Sequence, residues 1–198
     1  QMYRFTGPTI DRDGSLDSEI VLHELTHGLS NRLVGNAAGL NWDPARGMGE
    51  GWSDFFGVCL NAESTDDFNA VYTTGGYATY QFPGGSFANN YYFGIRRFPY
   101  STDMTKNPLT YEDIDPGQNA YPPGIPQSPI IGNSPNEVHN IGEVWCMTLL
   151  EARAKLGIAH GFAANEMIMR LAVDGMKLDT AAEVNFLNER DGILQADM

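Results

Sequence analysis

Asp17-Ser18-Glu19-Ile20-Val21-Leu22-His23-Glu24-Leu25-Thr26-His27 is the stretch from which the fold can be read. Asp17 offers an N-cap acceptor, Ile20, Leu22, Leu25, Leu29 and Leu33 offer apolar contacts, and Gly35-Asn36 is a good stop. The pattern predicts a helix. Inside it, His23-Glu24-Leu25-Thr26-His27 has the form H-E-x-x-H. Residues four apart share a helical face, with Cβ atoms about 5–6 Å apart, so two imidazole nitrogens at about 2.0–2.1 Å can close on one zinc ion. Glu24 need not be a ligand; beside the metal it can take a proton from an activated water and deliver it to a leaving amine. The same five letters also occur by chance in surface helices. Against chance, the chain has only four histidines and two of them fall here.

A third ligand is available in the right kind of place. Gly49-Glu50-Gly51-Trp52-Ser53-Asp54 lies in a second predicted helix, about Met48 to Asn61, with 22 residues separating His27 from Glu50. That is room for the first helix to end, turn back and present the Glu50 carboxylate. Two His and one Glu leave a fourth position for water, the catalytic rather than the structural kind of zinc site. Asp54 lies one turn beyond Glu50 and is a candidate to accept the other ring N–H of a ligating histidine, His23 above all. The alternative is a carboxylate favoured by the start of the helix dipole.

Outward from this core, composition sets limits. The chain has 198 residues, 42% of them hydrophobic, which fits one domain with a real core and contains no apolar run able to cross a bilayer. Residues Gln1 to Pro8 show no signal-peptide pattern. With 25 Asp plus Glu against 12 Lys plus Arg, a formal net charge of −13, the surface repels phosphate backbones, so no nucleic-acid partner is expected. Cys59 and Cys146 form no CxxC pair and sit in apolar helical stretches, which suits two buried thiols; one disulfide is the alternative. Asp11, Asp13, Asp17 and Glu19 could offer oxygen ligands to Ca²⁺, or serve as caps and solvated turns.

From Ala62 to Pro135 Gly, Pro, Asn and aromatics crowd together, as in Gly75-Gly76, Pro83-Gly84-Gly85 and Tyr121-Pro122-Pro123-Gly124. This reads as irregular chain with short strands, Tyr91 to Arg96 being the best strand candidate, and as cleft wall or binding loops. Three helices follow, roughly Glu137 to Leu156, His160 to Met176 and Thr180 to Ala196, with His160 read as a surface or capping residue. The expected fold is α+β, predominantly α-helical, in a single domain over residues 1–198, with a long irregular middle segment.

Several motifs in order carry a family resemblance. His23-Glu24-Leu25-Thr26-His27-Gly28-Leu29-Ser30-Asn31-Arg32-Leu33, Gly47-Met48-Gly49-Glu50-Gly51-Trp52-Ser53-Asp54, Gly94-Ile95-Arg96-Arg97-Phe98-Pro99-Tyr100, Glu137-Val138-His139-Asn140-Ile141-Gly142-Glu143-Val144-Trp145 and Asn185-Phe186-Leu187-Asn188-Glu189-Arg190-Asp191 resemble the fungalysin family of secreted metalloproteases, relatives of thermolysin. The likeness covers nearly the whole chain. It implies the C-terminal helical lobe of a thermolysin-like zincin: an extracellular endopeptidase that hydrolyses internal bonds of protein or peptide substrates with one catalytic Zn²⁺. His23, His27 and Glu50 match the zinc ligands and Glu24 the general base. His139 matches the histidine that stabilises the tetrahedral intermediate, and Arg96 the arginine that braces the substrate carbonyl. Read without the family, a lone histidine at a helix start is often merely structural.

The resemblance also implies an inhibitory propeptide and a β-rich lobe ahead of the H-E-x-x-H helix. This chain begins 22 residues before His23, so that lobe is expected to lie outside it. Thermolysin carries an aspartate five residues before the stabilising histidine; here Ser134 stands there, and Glu137 is the nearest carboxylate in sequence to His139. No tyrosine lies between His27 and Glu50 to match the one that assists the oxyanion in thermolysin. Two other readings are an aminopeptidase of the same zinc class and a non-catalytic, zinc-stabilised binding module.

Overall fold

A computed structural model describes residues 2–6, 11–80, 90–118, 120–128, 134–180 and 183–198. Two short strands, β1 (Arg4–Phe5) and β2 (Arg12–Asp13), pair antiparallel, Arg4 opposite Asp13. Helices α1 (Ser18–Leu33), α2 (Ala45–Asn61), the single-turn α3 (Gly76–Thr79), α4 (Val138–His160), α5 (Ala163–Leu178) and α6 (Phe186–Ala196) make up most of the rest. The fold is α+β and predominantly helical.

The start of α1 follows from its cap: the Asp17 carboxylate accepts from the Glu19 N–H at 3.1 Å. It stops where Gly35 and Asn36 both take left-handed dihedrals, φ 55° in each. Helix α2 returns antiparallel to α1 and is buried along nearly its whole length, with Trp52, Phe55, Phe56, Val58 and Cys59 in the core. Against it lies α4, which contributes Ile141, Val144, Trp145, Cys146, Leu149 and Leu150. Trp52 and Trp145 meet edge to face at 5.7 Å. Each such side chain removed from water contributes roughly 1.5–3 kcal/mol, and α5 and α6 close the same core through Ile168, Ala172, Met176 and Phe186.

Glycine sets how closely α2 and α4 approach. A Cβ on Gly51 would lie 2.5 Å from the Gly142 carbonyl oxygen, and one on Gly142 would lie 2.6 Å from the Glu50 Cβ. The backbones touch there, and the Glu50 side chain is seated directly over Gly142.

Some expectations need correction. Tyr91 to Arg96 is no strand: the segment turns, Gly94 takes φ 57°, its N–H bonds to the Asn90 carbonyl, and the Asn90 side chain holds the Gly94 carbonyl. Extended pairing in the described part of the middle segment is reduced to one bridge between Tyr72 and Tyr100. Helix α4 runs on through Gly157 and ends at His160, so His160 closes a helix rather than opening one; Gly161, φ 56°, ends it. Gly157 stays helical, and the Phe68 ring packs against it where a Cβ would lie 2.6 Å from the ring. Leu25 contributes no core contact, being 67% exposed. The last helix begins at Phe186, where the Asn185 side chain accepts from Leu187 and Asn188, rather than near Thr180. The Pro83-Gly84-Gly85 loop lies outside the described residues. Cys59 and Cys146 are buried free thiols, and burial pushes the Cys59 thiol up to about 12.

Candidate metal centre

The antiparallel crossing of α1 and α2 brings three donor atoms together. Nε2 of His23 lies 3.0 Å from Nε2 of His27 and 3.1 Å from Oε2 of Glu50; His27 Nε2 to Glu50 Oε2 is 3.5 Å. Ligands placed tetrahedrally at about 2.0–2.1 Å from one ion stand roughly 3.3 Å apart, and the three separations bracket that value. Among the described residues, His23, His27 and Glu50 are the one grouping of three or more such side chains that could hold a metal.

The proton arrangement points the same way. His23 donates its Nδ1–H to Asp54 Oδ1 at 2.7 Å, which turns the Nε2 lone pair of the neutral ring towards a second imidazole nitrogen and a carboxylate oxygen. Three lone-pair donors facing one another repel unless a cation lies between them. Burial works against a charged His23, but the bonds to Asp54 and Glu50 outweigh it and raise the imidazole to about 9, so without a metal a proton takes the cation's part. Burial likewise disfavours the Glu50 carboxylate, yet the His23 and His27 bonds, with His139 and Arg96 nearby, hold it far below the ordinary range. Two imidazoles and a carboxylate form a borderline donor set that suits zinc.

Asp54 is 1% exposed and accepts from four sides. Besides His23, it takes Nε of Arg96 at 2.5 Å, Nη2 of Arg96 at 2.8 Å and the Tyr100 hydroxyl. Burial raises its carboxyl, but Arg96 and His23 more than offset that and keep it well below the usual carboxylate range. Arg96, expected to brace a substrate carbonyl, is 3% exposed and places two of its three guanidinium nitrogens on Asp54, the carboxylate that also holds His23. Arg97 points elsewhere, giving Nε to Glu143 at 2.5 Å and Nη2 to the Asn140 carbonyl at 2.7 Å on α4. Two consecutive buried arginines thus pin the middle segment to both helices.

Glu24 sits half-buried on α1 between the two histidines. His139 is at the first turn of α4, its side chain 49% exposed, with Nε2 3.5 Å from Glu50 Oε2. Glu137 holds it in two ways: one carboxylate oxygen accepts the His139 backbone N–H at 3.0 Å as the helix cap, and the other faces ring Nδ1 at 2.7 Å. The spacing Glu-x-His before a helix was a usable signal for this pairing. Tyr100 carried none, since it lies 46 positions beyond Asp54.

The acidic cluster near the N-terminus is taken up by structure. Asp13 caps a 3-10 turn and Asp17 caps α1, Asp17 also accepts from the Ala78 N–H, Glu19 accepts from the Gly76 N–H, and Asp11 pairs with Arg4.

The family model described as Fungalysin metallopeptidase (M36) matches residues 1–198. Extracellular metalloproteinase 2 of Trichophyton rubrum is 37% identical over 214 residues, covering 100% of this chain and 29% of the relative. Extracellular metalloproteinase mep of Aspergillus fumigatus gives 37% with the same coverage, and Extracellular metalloproteinase 4 of Arthroderma otae gives 36% over 217 residues. The chain spans about 29% of the length of these curated relatives.

Proposed function

The chain belongs to the fungalysin metallopeptidase family, and from that premise we propose that it carries the catalytic centre of a zinc endopeptidase. The observation that carries the reading is the convergence of His23, His27 and Glu50 within tetrahedral ligand spacing, backed by the Asp54 carboxylate on His23. When bound there, zinc supplies Lewis acidity and lowers the pKa of a coordinated water towards about 7.

The protein's own groups do the rest. Asp54, fixed by Arg96 and Tyr100, keeps the His23 proton on Nδ1 and its Nε2 free for the metal. Arg96 in this reading acts through Asp54. Glu24 removes a proton from the attacking water and returns it to the departing amine. His139, with Nδ1 tied to Glu137 and Nε2 beside the Glu50 carboxylate, donates from Nε2 to the oxyanion as the carbonyl becomes tetrahedral. Loss of one such donor typically costs about 3 kcal/mol, or 10²–10³ in kcat.

Protein or peptide chains are the substrates in this reading. The β-rich lobe and inhibitory propeptide implied by the family are its partners, and residues 1–198 act as one domain. The relatives are named extracellular, and we extend that location to this chain; no helix among the described residues is long and apolar enough to cross a membrane. Glu24→Gln is expected to retain one zinc per chain while cleavage of N-terminally blocked peptides stops. Undiminished cleavage by that variant removes Glu24 from its assigned role, and cleavage only of peptides with a free amine turns the reading towards an aminopeptidase.

A further inference from the structure

The pairing of α1 with α2 extends one turn past the metal centre. Asn31 stands four residues beyond His27 on α1, and Arg46 stands four residues before Glu50 on α2. Because the helices run antiparallel, these two side chains fall on the walls of one cavity of about 190 Å³, which His27 and Glu50 also line, with Leu40 and Val138 as its apolar walls. The cavity therefore opens directly onto the ligands and lies beside the first turn of α4, one residue from His139.

Its two donors are uncommitted. Arg46 and Asn31 are exposed, and neither side chain has a hydrogen-bond or ion-pair partner among the described residues. That is notable in a chain with 25 acidic against 12 basic residues. Arg96, Arg97, Lys106, Arg170, Lys177 and Arg190 each hold a carboxylate. A guanidinium presents a planar fork of N–H donors that fits a carboxylate with two parallel bonds, and Asn31 can add a third from the facing helix.

We propose that this cavity is a substrate subsite for an acidic side chain next to the bond being cleaved, with Arg46 and Asn31 binding its carboxylate and Leu40 and Val138 covering its methylenes. The inference rests on the peptidase reading for the word substrate. The acidic surface as a whole repels acidic peptides, so a preference for them has to come from a local cation.

Blocked peptides that differ only by Glu or Gln, placed at each position flanking the scissile bond, read the subsite through the Glu/Gln ratio of kcat/KM. At low salt the ratio is expected to reach about fivefold at one position, the upper end for a partly exposed ion pair. It should fall towards one in Arg46→Gln and on raising salt to about 1 M, where screening acts within roughly 3 Å. Lys155→Gln removes an exposed cation about 24 Å farther along α4 than His139 and should leave the ratio in place. No position favouring Glu, or a preference unchanged in Arg46→Gln, overturns the proposal. If the chain cleaves no peptide without the β-rich lobe implied by the family, calorimetry of the same peptides with the zinc-loaded Glu24→Gln protein decides the subsite. Tighter binding of the Glu peptide that depends on Arg46 upholds it, and equal binding sinks it.

Discussion

Replacing Asp54 by Asn tests the centre at its most connected point. The two side chains have nearly the same shape, so packing is preserved while the charge and two acceptor positions are lost. In the native protein that carboxylate accepts from His23 at 2.7 Å, from Arg96 at 2.5 and 2.8 Å and from Tyr100, and it is 1% exposed. The variant leaves the Arg96 guanidinium buried with no counter-charge at that position. Breaking a buried pair in this way costs about 3–5 kcal/mol, which for a chain of this length lowers the melting temperature by roughly 6–20 °C. Zinc affinity should drop about 10–100-fold, because His23 loses the group that fixes its tautomer. Calorimetric unfolding of the metal-free protein and competition with a chromogenic chelator measure the two effects separately. Adding Arg96→Met should restore part of the stability by removing the stranded charge, while zinc affinity stays low. Affinity within about threefold of native in Asp54→Asn would refute the coupling between Asp54 and the ligand set.

Gly142→Ala should separate α2 from α4, since the new Cβ lies 2.6 Å from the Glu50 Cβ; a loss of about 1–3 kcal/mol and weaker zinc binding in the same titration are expected, and native affinity would contradict the seating of Glu50. Glu137→Ala should cost about 1 kcal/mol of helix-cap stability and also release the His139 ring, seen as a change in the imidazole ¹⁵N resonances; an unchanged spectrum would count against the pairing. Glu189 is fully buried in α6, and burial, with Asp179 adding, raises its carboxyl from 4.5 to about 8. Between those pH values the folded state keeps the proton and the unfolded state releases it, so stability should fall as pH rises, by up to about 1.4 kcal/mol per unit. Glu189→Gln should flatten that part of the unfolding curve, and an unaltered slope would exclude Glu189 as its source. Chelation should lower the melting temperature: holding zinc at about 100 times its Kd stabilises the fold by roughly 2.7 kcal/mol, and a curve indifferent to chelator would argue against a resident metal.

The helices around the metal centre were legible because their signals are local. Asp17 as cap, Gly35-Asn36 as stop and the i, i+4 histidines act over one or two turns, and the structure keeps all of them. The stretch from Tyr91 to Arg96 misled because its aromatics suit a strand equally well. Its conformation is decided by Gly94 and by the Asn90 and Thr74 groups that hold its backbone. The helix expected to end near Leu156 runs on to His160, and nothing nearby in sequence announces that Phe68 packs against Gly157.

By itself the sequence determined which residue types were available to bind a metal, and at what helical spacing, since one turn of helix places His23 and His27 on one face whatever the remainder does. It also carried the family, through motifs spread along the chain. Only the tertiary structure decided that Arg96 turns to Asp54 while Arg97 turns to α4, that Tyr100 joins the same carboxylate, and that Asn31 and Arg46 share a wall. The partners of Arg96, Arg97 and Tyr100 are tens of residues away, and burial leaves a charged group no solvent to fall back on, so its choice is made by whatever the folded chain brings within about 3 Å; Asn31 and Arg46 meet only because α1 and α2 run antiparallel.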